Sequence, residues 1–145
     1  MVRYPHWQTV PLRWKDNDVY GHVNNVVHYS LMDTVINTFL VGEGGLDITS
    51  GELIGLCVES QCRYHAPVAF PGSLRIGLGV AHLGTSSVRY GIGMYSEADV
   101  LVAEGQFVHV FVDRDTRRPV PVAGKLREAL AGLLFQPAET EPPHG

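Results

Sequence analysis

The chain has 145 residues, of which 45% are apolar and 18% charged, with a formal net charge of -4. That balance fits one globular domain around one core and excludes a disordered chain. No long basic run is present, which argues against a nucleic-acid backbone as the main partner but leaves room for a local basic pocket for a phosphorylated ligand.

No apolar run reaches membrane-spanning length. The opening stretch, Met1-Val2-Arg3-Tyr4-Pro5-His6, lacks the apolar segment of a signal peptide, so a cytoplasmic protein with no membrane partner is expected. Trp7 to Trp14 alternates loosely and predicts a first strand, with Pro11 marking a sheet edge or a bulge. A polar stretch follows, Asp16-Asn17-Asp18-Val19-Tyr20-Gly21-His22-Val23-Asn24-Asn25. It holds two carboxylates, an imidazole, amides and a phenol. Either it is only a turn whose Asp and Asn residues cap a helix, or the polar groups have a chemical use.

With Asn24 or Asn25 as N-cap, the pattern to about Gly42 is helical: Val26, Tyr29, Met32, Ile36 and Phe39 recur at helical spacing, and Val27, Leu31, Val35 and Leu40 widen the stripe. A helix so apolar predicts other structure wrapped around it. After Asp47 and Gly51 the period changes to two. Ile54, Leu56, Val58, Ser60, Cys62 and Tyr64 are expected on one strand face, with Glu59, Gln61 and Arg63 on the other. Cys57 and Cys62, five apart, then fall on opposite faces and are expected as unpaired, buried thiols outside any metal-type spacing.

Pro67, Pro71 and Gly72 predict a turn; Leu74 to Val80 and Val88 to Met94 predict two further strands joined at Gly84-Thr85-Ser86. A last strand runs from about Val102 to Asp113, and its run Phe107 to Val112 is apolar on both faces, as for a strand covered on both sides. The turn Arg114–Arg118 leads to a short helix at Ala123–Leu134. Gly77, Gly79, Gly91 and Gly93 fall on one side of two adjacent strands, a bare strip for a partner subunit or a ligand, unless nothing packs there. The order of strand, long helix and four strands with short links predicts antiparallel neighbours and an α+β fold, an antiparallel five-stranded sheet curling round one central helix. One domain is expected over residues 1–136, with a flexible Pro- and Glu-rich tail at 137–145.

The polar stretch fits a calcium loop poorly, since Tyr20 and Val27 stand where ligands are needed. No nucleophile elbow, phosphate loop or dinucleotide fingerprint occurs. A carboxylate acting as base or nucleophile remains, and Asp18 is the better placed. It lies just before a helix start, where free N–H groups and the helix dipole favour a developing oxyanion.

The ten residues resemble the D-x-D-x-x-G-H-V-N-N signature of hotdog-fold acyl-CoA thioesterases of the 4-hydroxybenzoyl-CoA type. Arg63-Tyr64-His65-Ala66-Pro67, Leu83 to Tyr90, Gly105 to Asp113 and Arg117-Arg118-Pro119-Val120-Pro121 resemble the same family's later strands and closing segment, so the similarity spans roughly residues 7 to 134. The resemblance implies that Asp18 attacks the thioester carbonyl or activates water, and that the Asn25 N–H polarises that carbonyl. By the resemblance His22 and Asn24 either shape the pocket or hold the loop, and Asp16 sets the turn; Tyr20 is a further candidate for contact with the substrate. The resemblance also implies a homodimer or homotetramer with each site at a subunit interface, where Glu59, Gln61, Ser86 and Ser87 of a partner strand complete it. Arg89 and the Arg114, Arg117, Arg118 group are then candidates for the phosphates of CoA.

No metal or other cofactor is implied; CoA belongs to the substrate, an acyl-CoA or acyl-carrier-protein thioester. The 4-hydroxybenzoyl enzyme itself departs from His-Val-Asn-Asn, so its aromatic substrate does not carry over. Two rival readings stand beside hydrolysis. One is a hydratase-dehydratase using His22 with Asp18, and the other is a non-catalytic acyl-CoA or acyl-carrier binding module. Asp33 is either a structural residue or a support for the turn, His28 faces the pocket or solvent, and His109 reads as a core histidine. Tyr29, Met32 and Phe39 line either the core or an acyl pocket.

Overall fold

A computed structural model describes residues 3–137. The elements are β1 (His6–Pro11), α1 (Asn25–Gly42), β2 (Leu53–Tyr64), β3 (Ser73–Leu83), β4 (Ser87–Tyr95), β5 (Leu101–Asp113) and α2 (Gly124–Ala131), with a single 3-10 turn at Trp14–Asp16. The first strand therefore ends at Pro11, three residues before the expected limit, because the chain turns at Trp14. The last helix is also shorter than expected. Most of the expected tail, residues 138–145, lies outside the described residues.

All five strands form one antiparallel sheet in the order β1-β3-β4-β5-β2. This corrects one expectation. β2 does not pair with its sequence neighbour β3; it pairs with β5 and forms the far edge, so the 65–72 link crosses from one side of the sheet to the other. β1 is the opposite edge, consistent with Pro11 at its end.

The core is the interface between α1 and one sheet face. Leu31, Met32, Val35, Ile36, Phe39 and Leu40 of α1 pack with Leu74, Ile76 and Leu78 of β3, Val88, Tyr90, Ile92 and Met94 of β4, and Phe107 and Phe111 of β5. Gly105 of β5 makes room for the helix: a Cβ there would lie 2.5 Å from the Met32 sulfur. The wrapping of α1 is one-sided, and Val26, Ser30, Asp33 and Thr34 remain exposed. His109 is a core residue. It is 2% exposed, and its Nδ1 lies 3.2 Å from the Tyr90 hydroxyl. Burial lowers the imidazole's pKa and raises the phenol's, so both are neutral at neutral pH.

A β-bulge between Cys57 and Glu59 shifts the register of β2. One inserted residue reverses the alternation. Leu56 pairs with Val110, whereas Ser60 pairs with Phe107 and Cys62 with Gly105, so the expected continuous face from Ile54 to Tyr64 is split at the bulge. Cys57, opposite His109, and Cys62, opposite Gly105, share the face that α1 covers, contrary to the expected opposition. Both are free; Cys57 is exposed and Cys62 half-buried, because β2 is an edge. Four ladder steps, about 13 Å, keep them from pairing.

The glycine strip is covered by two aromatic side chains of the same chain, Tyr4 and Phe135. Tyr4 lies over Gly77 and Gly93, and Phe135 over Gly79 and Gly91, so a Cβ at any of the four would fall within 3.0 Å of a ring atom. The two rings are 5.3 Å apart, and Tyr4 meets Trp7 edge-on at 5.6 Å. Phe135 is delivered by a short parallel bridge, in which Val80 N–H donates to the Leu133 carbonyl and Phe135 N–H to the Val80 carbonyl. The occupant is therefore neither a partner subunit nor a ligand.

Gly79→Val should cost about 1–3 kcal/mol by overpacking against the Phe135 ring. In a Phe135→Ala background the same substitution should cost clearly less. Urea denaturation of the four proteins checks this, and equal costs in both backgrounds would contradict the contact.

Candidate active site

The polar stretch is held by its own side chains and by the 65–72 link. Asp16, 1% exposed, accepts from the Arg13 backbone N–H at 2.7 Å and from the Arg13 guanidinium at 2.9 and 3.2 Å. Burial alone would raise this carboxyl, but the Arg13 hydrogen bonds and charge outweigh it and hold it below the ordinary value of 3.8. The Asp16 carbonyl accepts the Asn24 N–H at 3.0 Å, tying the exit of β1 to the entry of α1. Asn17 Oδ1 accepts the Phe70 N–H at 3.0 Å, and the Val23 N–H donates to the Val68 carbonyl at 2.8 Å.

Between these ties the loop closes on itself. Asp18 N–H donates to the His22 carbonyl at 2.9 Å, and Gly21 N–H to the Asp18 carbonyl at 3.0 Å. Gly21 adopts φ +83, which a side chain would resist. Asp18 Oδ1 accepts the Tyr20 N–H at 2.9 Å, while Oδ2 has no hydrogen bond among the described residues.

The helix entry is capped by Asn24, whose Oδ1 accepts the Val26 N–H at 2.9 Å; the Val27 N–H donates to the Asn24 carbonyl at 2.9 Å. With those two donors used, the Asn25 N–H has no acceptor among the described residues. It is the free amide at the positive end of an 18-residue helix.

Asp18, Tyr20, His22, Asn24 and Asn25 line one cavity of about 520 Å³. Its volume lies in the range of small-molecule sites, roughly 300–1,000 Å³. With Val23, the residues His28, Tyr64, His65, Ala66, Pro67 and Val68 form the rest of its wall. Of those six, His28 is expected to face either the pocket or solvent, and the other five are not singled out by the sequence as substrate contacts. Tyr64 to Val68 come beside the helix entry because β2 is the far edge strand, a placement that strand periodicity does not report. His28 faces the cavity side: it is 4% exposed, and its ring meets Tyr64 edge-on at 5.0 Å. His65 Nε2 lies 3.3 Å from Glu104 Oε1 at the cavity margin.

The other named residues are elsewhere in the protomer. Glu59, Gln61, Ser86, Ser87 and Arg89 do not line the cavity. Glu59 pairs with Val108 in the middle of the β2–β5 ladder, and Ser87 with Val110, past that middle from Tyr64. Arg89 Nη1 donates to Gln106 at 3.3 Å. Arg114 donates to the Gly51 and Ile48 carbonyls at 2.6 and 2.9 Å, in the loop before β2, while Arg117 and Arg118 are exposed. Asp33 lies outside the cavity and accepts from the Asn37 side chain at 3.2 Å. Among the described residues no group of three or more His, Cys, Asp or Glu is placed to hold a metal ion, and no helix is long and apolar enough to cross a membrane.

Asp16→Asn should lower stability by about 1–3 kcal/mol at neutral pH, since it breaks charge-assisted bonds in a buried place. The folded pKa is below the unfolded one. The wild-type advantage is therefore present above about pH 4 and lost as pH falls through the folded value. Chemical denaturation across a pH series should show the gap between the two proteins narrowing on acidification.

Comparison with known proteins bears on the same site. Residues 12–130 match the family model described as the thioesterase-like superfamily. Among curated proteins none matches. The PA5185 protein from Pseudomonas aeruginosa strain PAO1 is 53% identical over 90% of this chain and 92% of its own, with a TM-score of 0.87. Slr0204, a 1,4-dihydroxy-2-naphthoyl-CoA thioesterase from Synechocystis, shares 18% identity over 86% of this chain and 94% of its own, at a TM-score of 0.78. SAV2348 from Staphylococcus aureus, solved in complex with CoA, shares 15% identity over 99% and 92%, at 0.84. At those identities the last two attest the fold alone. With its sheet order, its single central helix and a family match over residues 12–130, the chain has the hotdog fold and belongs to the thioesterase-like superfamily.

Proposed function

We propose that this protein is an acyl-CoA thioesterase of the 4-hydroxybenzoyl-CoA type, hydrolysing a thioester to a free carboxylate and a thiol. The observation that carries the reading is that the Asp18 carboxylate and the free Asn25 N–H border one cavity. Thioester hydrolysis needs a nucleophile and a donor for the oxyanion that forms on the carbonyl oxygen. Asn25 N–H, reinforced by the helix dipole, polarises the carbonyl. Asp18 either attacks the carbonyl carbon, giving an anhydride that water opens, or removes a proton from the attacking water. In both routes the C–S bond breaks and the thiolate leaves and is protonated. Tyr20, His22 and Asn24 shape the pocket mouth. The chain needs no metal or cofactor in this scheme, and CoA or a carrier's pantetheine arrives with the substrate. The CoA bound to SAV2348 and the substrate named for Slr0204 agree with a CoA thioester as the class.

The working unit in this reading is at least a dimer, closed through β2. That strand is a 12-residue unpaired edge, mostly exposed, with Val58 60% exposed at the bulge. Antiparallel pairing of two such edges about their middle keeps Glu59 at the centre of the seam and carries the Ser86–Ser87 end of one sheet towards the Tyr64 end of the other. In this reading the partner's Ser86 and Ser87 approach the cavity, while Glu59 and Gln61 belong to the seam itself.

Asp18→Asn should reduce thiol release from a panel of short, medium, long and aromatic acyl-CoAs by about 10²- to 10⁴-fold, with acyl-CoA still bound. Unchanged turnover would remove Asp18 from the chemistry. Binding without turnover in wild type, or hydration of an enoyl-CoA instead of thiol release, would replace hydrolysis with one of the rival readings. Val58→Glu should give monomers in sedimentation velocity and lower turnover at least tenfold; a monomeric variant with full activity would refute the shared site.

A further inference from the structure

The Asn25 N–H does not stand alone: it is one end of a peptide group whose other end is the Asn24 carbonyl. That carbonyl accepts the Val27 N–H at 2.9 Å and also lies 3.2 Å from His28 Nδ1, one helical turn on. A carbonyl only accepts, so a neutral His28 must carry its proton on Nδ1. Burial lowers the His28 pKa, so the neutral ring prevails at neutral pH. The next carbonyl, of Asn25, accepts the Tyr64 hydroxyl at 3.2 Å, and the Tyr64 and His28 rings meet edge to face at 87°. Both carbonyls around the free amide are thus taken by side chains that brace each other, one from the helix and one from the edge strand.

We infer that His28 is a positioning residue for carbonyl activation, donating from Nδ1 to the Asn24 carbonyl and so polarising and fixing the peptide whose N–H faces the substrate. Peptide resonance couples the two ends: a donor on the oxygen draws charge from the nitrogen and strengthens the N–H as a donor. The inference rests on the reading of Asn25 as the carbonyl-polarising amide. The gain appears as the oxyanion forms, so it acts on kcat more than on KM.

The test compares His28→Asn with His28→Leu, which have the same shape and both lack the ring. Asn can donate to the carbonyl four residues back, as Asn37 Nδ2 does to the Asp33 carbonyl at 2.9 Å in the same helix. Expected is a roughly tenfold lower kcat for His28→Leu with KM within about twofold, and His28→Asn within about threefold of wild type. In ¹H–¹⁵N spectra the Asn25 amide proton should lie further downfield in the Asn variant than in the Leu variant. Equal kcat and equal Asn25 shifts in the two variants would overturn the inference.

If His28→Leu does not fold, ¹⁵N spectra of the wild-type imidazole decide: a proton on Nδ1 is required, and one on Nε2 overturns the proposal. Asp18→Asn run in parallel separates the two claims. Full activity in that variant removes the Asp18 mechanism, while the amide shifts and the tautomer still decide the role of His28.

Discussion

The cavity depends on a buried carboxylate being satisfied. Asp16 has almost no contact with water, and its two oxygens are met by the backbone and guanidinium of Arg13. Its backbone carbonyl receives Asn24, the residue that caps the central helix. Through this one residue the end of the first strand, the polar turn and the helix start become one rigid body. Asp18 stands two residues on, on the other side of the turn, with one oxygen uncommitted. The two acids of the motif thus divide into a fastening and a free group, and burial with a cationic partner is what separates them.

Local features were legible where they depend on neighbours in sequence. Asn24 as cap, the helix to Gly42 and the five strands all follow from periodicity and turn chemistry. Asp18 stands out in the sequence as a carboxylate just before an apolar helix, and Asn25 through the family resemblance; both line the cavity. The β2 faces were not legible. A bulge adds one residue to the count, and nothing in Cys57-Val58-Glu59 announces it, so Ser60, Cys62 and Tyr64 arrive on the face opposite to Leu56.

Pairing between distant elements was equally out of reach. Short links suggested that β2 and β3 are neighbours, whereas the chain crosses the sheet between them. That crossing is what lays His65 to Val68 beside the helix entry, and it explains why a third of the cavity wall comes from residues with no periodic signal. The glycines of β3 and β4 were visible as a bare strip, but their occupants lie far away in sequence, at Tyr4 and Phe135. Arg114 likewise bonds the loop before β2, a contact 63 to 66 positions away that no local pattern reports.

The contact of Tyr4 with Phe135 has a topological consequence. The two residues stand 131 positions apart in the chain, yet their rings touch over the same four glycines on the face turned away from α1. The fold is therefore close to a closed loop, with its seam on the back of the sheet. A short bridge across that seam, with the chain reopened at an exposed turn such as Asp47–Ser50, would describe the same architecture with a different beginning. The order in which the strands are threaded is then a matter of where the loop is cut: a cut at Asp47–Ser50 parts the helix from the edge strand in sequence, while the bonds from Asn17 and Val23 to Phe70 and Val68 still frame the cavity.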